Sequence, residues 1–240
     1  MTDFLSGKTP IHEDYFSVRN HVGLIDLSSR GKIEVTGKDR VSFLQGMVTN
    51  DVKKLKAGTG LHAALLDSEA HILADFHLFA FEDRFLIDCR TALTQKILDL
   101  LGRYLITEDV ALNNRSESLA WLGVEGPEAE TLVQKIAGEE FDFLKPFTFR
   151  NTEIGGIRAE IFRLSLTGED GFYFLAANED KKRLSEFLLT QGKPYGIGRF
   201  DKLTLEELRI EAGIPLYDKD MDDKTLFSET GLNDALSTAK

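Results

Sequence analysis

Residues His71 to Phe81 (HILADFHLFAF) place Ile72, Ala74, Phe76, Leu78 and Ala80 at every second position. Only a strand puts such a row on one face, and an unbroken apolar row needs a second layer to bury it. The opposite face carries His71, Leu73, Asp75, His77, Phe79 and Phe81. A face that mixes carboxylate, imidazole and aromatic groups is what a strand lining a polar pocket presents. Leu61 to Leu66, before a polar turn at Asp67, Ser68 and Glu69, and Phe85 to Cys89, after Glu82-Asp83-Arg84, read as the flanking strands of a meander.

Elsewhere strand and helix periods interleave, which predicts an α+β fold. Gly31 to Thr36 reads as a half-buried strand, and Asp39 to Met47 and Ala92 to Leu105 read as helices. Ser118 to Val124 reads as a strand, followed by a helix that opens on Pro127 and runs to about Ile136. Phe147 to Ile154 and Ile157 to Leu164 form a hairpin through Gly155-Gly156, and Phe172 to Ala176 adds another strand. Asn178 is expected to cap a helix that Gly192 closes, and Thr204 with Glu207 to form the capping box of a short helix that Gly213 ends.

The formal net charge of -11, from 29 Lys and Arg against 40 Asp and Glu, argues against nucleic-acid and acidic-membrane partners. Cys89, the only cysteine, excludes an intrachain disulfide and fits a reducing compartment. Its apolar strand context marks it as structural. The opening MTDFLSGKTPIHEDYF has neither the apolar core nor the cleavage site of a secretory signal, and no apolar run approaches a membrane span. The expectation is a cytoplasmic protein. No phosphate-binding glycine loop, dinucleotide fingerprint or nucleophile elbow occurs.

Asp75 is the best single candidate for chemistry, because a carboxylate on the mixed face of a half-buried strand can be partly desolvated or can accept a cation. The alternative is a solvated strand-edge carboxylate. His71 and His77 lie roughly 20 Å apart at strand rise, so they cannot share an ion; only Asp75 and His77 could, and no metal site is assigned. The acidic run Asp218, Asp220, Asp222, Asp223 lacks the glycine and the closing glutamate of a calcium loop and reads as solvated.

Four segments together, HVGLIDLSSRGKIEVTGKDRVSFLQGMVTNDV, the strand with Asp75, LTGEDGFYF and LRIEAGIPLYDKDMDDKTLFSETGL, resemble the folate-binding superfamily that contains the T-protein of the glycine cleavage system. The resemblance runs from about His21 to Lys240. It implies an α+β fold in which a discontinuous ferredoxin-like lobe (residues 1–33 with 120–240) and an inserted α+β lobe (34–119) surround tetrahydrofolate or a derivative, with a C-terminal β-barrel closing the ring. That barrel is expected to be missing here. The chain reaches Lys240 at what resembles the lysine of the signature K-G-C-Y-x-G-Q-E and stops.

The same resemblance offers two functions. One is aminomethyl transfer from a lipoyl arm to tetrahydrofolate. The other is that of the YgfZ-type proteins, which bind folate and support iron-sulfur cluster assembly or repair, with iron-sulfur clients or assembly proteins as partners. Asp75 matches the catalytic carboxylate of the T-protein run G-G-x-x-D-D-L, while Ala74 replaces the preceding one. Arg30 stands where D-x-S-H-M-G has Met, Asp88 where a pterin-contacting Asn is expected, Tyr173 where a pterin-pairing Glu is expected, and Leu205 where the first of two arginines falls, leaving Arg209. These departures favour the YgfZ-type reading, with aminomethyl transfer as the alternative. The implied pocket is lined by Arg30, His62, Asp75, Phe79, Asp88, Tyr173 and Arg209, with Lys240 at its edge. An Arg would pair with the folate glutamate tail, Phe79 would pack on the pterin or the bridge, and Asp75 would polarise the one-carbon centre.

Overall fold

The structure, a computed structural model, describes residues 13–138 and 145–240. The segment read against a secretory signal falls largely in residues 1–12, outside the described residues. In chain order the elements are α1 (Glu13–Asn20), β1 (Gly23–Asp26), β2 (Gly31–Thr36), α2 (Arg40–Met47), β3 (Thr59–Leu66), β4 (Ile72–Ala80), β5 (Phe85–Cys89), α3 (Thr94–Gly102), β6 (Ala111–Asn114), β7 (Leu119–Glu125), α4 (Ala129–Ala137), β8 (Phe149–Ile154), β9 (Ile157–Arg163), β10 (Gly171–Ala177), α5 (Lys181–Gly192), β11 (Gly198–Arg199) and α6 (Lys202–Glu211).

The strands form two sheets, in the orders β3-β4-β5-β2-β6 and β11-β1-β7-β10-β9-β8. Neither is a closed barrel. The periodic face of β4 is buried as expected: Ile72, Ala74, Phe76, Leu78 and Ala80 pack with Phe43 and Leu44 of α2 and Ile97 and Leu101 of α3. On the second sheet, Leu122, Val124, Phe172 and Phe174 face α4 and α5 through Leu132, Val133, Leu184 and Leu188. The inner faces of the two sheets meet directly, Phe79 and Leu86 of the first against Trp121, Phe162, Tyr173 and Leu175 of the second. The layers therefore run helix, sheet, sheet, helix. At about 1.5–3 kcal/mol for each large apolar side chain buried, the aromatic seam between the sheets is a main source of their cohesion.

The Gly155-Gly156 hairpin forms with φ of 57° and 74°, the left-handed pair that a two-residue turn of this hand requires. Several helix ends differ from expectation. Asp201, not Thr204, caps α6, its carboxylate accepting from the Leu203 and Thr204 amides, and Thr204 is buried inside the first turn. A shorter route to two orphan amides displaces the capping box. Asn178 opens a short 3-10 turn ahead of α5, with Asp180 at the helix cap position and no side-chain capping bond there. The helix expected over Ala92 to Leu105 is split into a 3-10 turn, Thr91–Leu93, and the shorter α3. Gly213 follows α6 with φ of 69° and ends it as expected. The short strands β1, β6 and β11 were not legible, because two to four residues give no measurable period. No helix among the described residues is long and apolar enough to cross a membrane.

Candidate functional site

The register of the first sheet builds a polar row. His62 of β3 lies opposite His77 of β4, His77 opposite Asp88 of β5, and Asp88 opposite Lys32 of β2. Residues in register share a face, so these four side chains start from one transverse line on the inner face of the sheet. Asp75, two residues from His77 on β4, belongs to the same face.

Arg30, just before β2, grips Asp88 with both prongs, Nε to Oδ1 and Nη2 to Oδ2, each 2.7 Å. His77 Nδ1 reaches the same Asp88 Oδ2 at 3.2 Å. The His77 ring lies 5.1 Å from that of His62. His62 is held from both sides, Nε2 at 3.2 Å from Asp75 Oδ2 and Nδ1 at 3.4 Å from Asp234 Oδ1. Lys32 is fully buried and donates to the carbonyls of Ser28 and Arg30, each at 2.8 Å. A continuous polar chain thus runs from Arg30 through Asp88 and His77 to His62 and its two carboxylates.

Electrostatics divide this chain sharply. Burial pushes Asp88 up, but the Arg30 guanidinium and the His77 hydrogen bond outweigh it and hold the carboxyl at about 2. Burial also drives His77 down, and it dominates over the attraction of Asp88. His62 goes the other way: desolvation lowers it, yet the hydrogen bonds it donates to Asp234 and Asp75 raise it to about 9. Two touching imidazoles are therefore driven in opposite directions, His77 towards the neutral form and His62 towards the imidazolium. Burial lowers the Lys32 ammonium to about 8.

Beyond Arg30 lies a cavity of about 320 Å³. Leu27, Leu166, Leu205, Ile214 and Leu216 supply its apolar wall, and Arg30, Arg90, Lys202 and Arg209 bring cations to it beside one carboxylate, Glu206. Arg209 is nearly buried and engaged by Glu206 and Asp220, with its Nε left without a partner. Arg90 meets Asp218 at 3.5 Å and Lys202 meets the Ser29 hydroxyl at 3.1 Å.

The residues expected to line one pocket thus fall into three places. Arg30, His62, Asp75 and Asp88 come together in the polar chain, and Arg30 and Arg209 border the cavity. Phe79 and Tyr173 are fully buried in the seam between the sheets, where the Tyr173 ring stacks on Trp121 at 5.6 Å. The Tyr173 hydroxyl donates to Glu125, so its phenol is not presented to the cavity. Lys240 donates to the Val48 carbonyl. Three polar residues escaped sequence reasoning. Lys32 could have been found by extending the hairpin registers across β5 to β2. Glu125 and Asp234 carried no local signal, since Asp234 meets His62 across 172 residues of chain.

Comparison with known proteins gives a consistent family. Residues 5–240 match the GCVT N-terminal domain. An aminomethyltransferase of Bacillus licheniformis is 32% identical over 96% of the chain and 64% of its own length, and one of Bacillus cytotoxicus is 34% identical over 96% and 63%. The chain therefore spans less than two thirds of these relatives. The glycine cleavage system aminomethyltransferase T of Bartonella henselae superposes with a TM-score of 0.76 at 26% identity, covering 88% of this chain and 56% of that one. A heterotetrameric sarcosine oxidase from a Corynebacterium species, at a TM-score of 0.55 and 15% identity over 75% of this chain and 88% of that one, shares the fold.

Proposed function

The chain belongs to the GCVT N-terminal domain family, and from that premise we propose that it binds a reduced folate and serves aminomethyl transfer, with Asp75 at the reacting centre. The observation that carries the reading is the apolar cavity with a cationic border, joined through Arg30 to the polar chain that ends on Asp75. The names of the similar proteins support transfer over iron-sulfur support, since those reported above as relatives are aminomethyltransferases. The departure at Tyr173 no longer argues for the YgfZ-type alternative. Its hydroxyl is spent on a buried carboxylate, away from the cavity.

The residues present fit such a ligand. A flat heteroaromatic body with a carboxylate tail matches leucine walls, a cationic rim and the unpartnered Nε of a nearly buried arginine. Tetrahydrofolate, when bound, supplies the ring nitrogen that accepts the one-carbon unit. The tail would fall to Lys202 and Arg90, which meet a hydroxyl at 3.1 Å and Asp218 at 3.5 Å, and not to Arg30 and Arg209, whose forks are held by closer carboxylates. Leu205 and Leu166, which line the cavity, would pack on the ring. Asp75 contributes a carboxylate oriented by the His62 N–H, suited to stabilising positive charge that develops on a one-carbon centre.

Calorimetry with folinic acid tests the binding. Saturable heat is expected, and Lys202→Ala should weaken it about tenfold, the loss of one charge-assisted contact of about 1.4 kcal/mol. Methylene-tetrahydrofolate formation from an aminomethylated lipoyl protein should fall about a hundredfold in Asp75→Asn with folinic acid affinity kept. Absence of binding sinks the reading, and an unchanged rate removes Asp75 from its role.

A further inference from the structure

The last described residues form a strap across the first sheet. Ile72 N donates to the Thr225 carbonyl at 3.0 Å, Phe227 N to Ala70 at 2.9 Å and Ser237 N to Thr49 at 3.2 Å. Leu232 and Ala235 are buried in the core beneath it. The Asn50 side-chain amide donates both to the His62 carbonyl and to the Asp234 carbonyl, each at 2.9 Å, and the Thr49 hydroxyl donates to the Ala235 carbonyl at 2.5 Å. Two consecutive residues after α2 therefore fix the strap backbone at the point where Asp234 faces the His62 ring.

We propose that Asp234 is a positioning residue of the site, clamping His62 at Nδ1 so that Nε2 keeps an N–H on the Asp75 carboxylate. A histidine with a carboxylate on each ring nitrogen donates from both, so neither nitrogen is left to accept and the ring cannot flip without losing two contacts. His62 faces Asp75 and His77 of β4 and Asp234 of the strap. Asp75 sits on a strand ladder, whereas Asp234 reaches the ring only while the strap is docked. The strap thus fixes, from a segment remote in sequence, the ring whose N–H faces Asp75. Its service to catalysis rests on the transfer reading, whereas the contact itself is tested without any ligand.

Nitrogen-15 NMR titration of the histidine rings reads the clamp directly. In Asp234→Asn the His62 midpoint should fall by at least about one pH unit, a tenfold loss of proton affinity, and Asp234→Glu should restore it. His71, whose Nδ1 pairs with Asp67 at 3.0 Å, is the internal control and should not move. An unchanged His62 midpoint in Asp234→Asn, with the Ala235 and Ser237 amides still protected from exchange, overturns the proposal. If those amides lose protection, Asp234→Glu decides: it keeps the carboxylate and must hold the His62 midpoint near the wild-type value, and a midpoint as low as that of Asp234→Asn overturns the proposal. Folinic acid plays no part in these measurements, so a failed folate titration and a failed clamp are told apart.

Discussion

Asp88 and Glu125 are both fully buried carboxylates on strands that face the seam between the sheets, yet their surroundings differ in kind. Asp88 is compensated by charge: the fork of Arg30 and the ring of His77. Glu125 is compensated by dipoles: the amides of Leu166 and Thr167 and the hydroxyls of Ser165, Thr167 and Tyr173. Burial raises Glu125, its hydrogen bonds only reducing the rise, whereas Arg30 and His77 overcome the burial of Asp88. A carboxylate tied to a cation at a cavity wall transmits charge into a site. One wrapped by a turn fixes that turn, here the loop 165–168 that delivers Leu166 to the cavity.

Replacing each carboxylate by its amide should break the likeness cleanly. Asp88→Asn strands the Arg30 guanidinium in a mostly buried place and should lower stability by about 3 kcal/mol in urea unfolding. A loss below about 1 kcal/mol would mean that Arg30 finds water through the cavity. Acid unfolding gives the next largest effect. The folded Asp88 value of about 2 lies below the unfolded 3.8, so its contribution is complete above pH 3.8 and lost as pH falls through about 2, roughly 2 kcal/mol in all. Glu125 has the opposite sign: its folded value lies above 4.5, so its contribution is present below pH 4.5 and fades as pH rises through the folded value. Comparing acid limbs of wild type and Asp88→Asn should show the first component disappear. The smallest effect is Glu125→Gln, about 1 kcal/mol, because the amide keeps one oxygen for the loop and the Tyr173 hydroxyl can turn to accept. A loss as large as that of Asp88→Asn would erase the distinction drawn between charge and dipole compensation.

The site was partly legible before the structure. Asp75 and His77 declared themselves because a period of two separates the faces of β4 whatever surrounds it. His62, Arg30, Asp88 and Arg209 entered through the family resemblance, but Arg30 and Arg209 then proved to have carboxylate partners already. Phe79 and Tyr173 were expected at the ligand and lie instead in the aromatic seam, since a strand pattern tells which residues are apolar on a face and not which second layer covers them.

By itself the sequence determined the α+β class, most strand and helix positions, and the polar character of the inner face of β4, all properties of neighbours a few residues apart. The tertiary structure alone decided that four strands align His62, His77, Asp88 and Lys32 in one row, that Arg30 pairs with the buried Asp88 at the cavity wall, and that Asp234 closes on His62. The physical reason is range. Backbone periodicity is written locally, whereas desolvation and charge pairing depend on which distant segments exclude water from the same place.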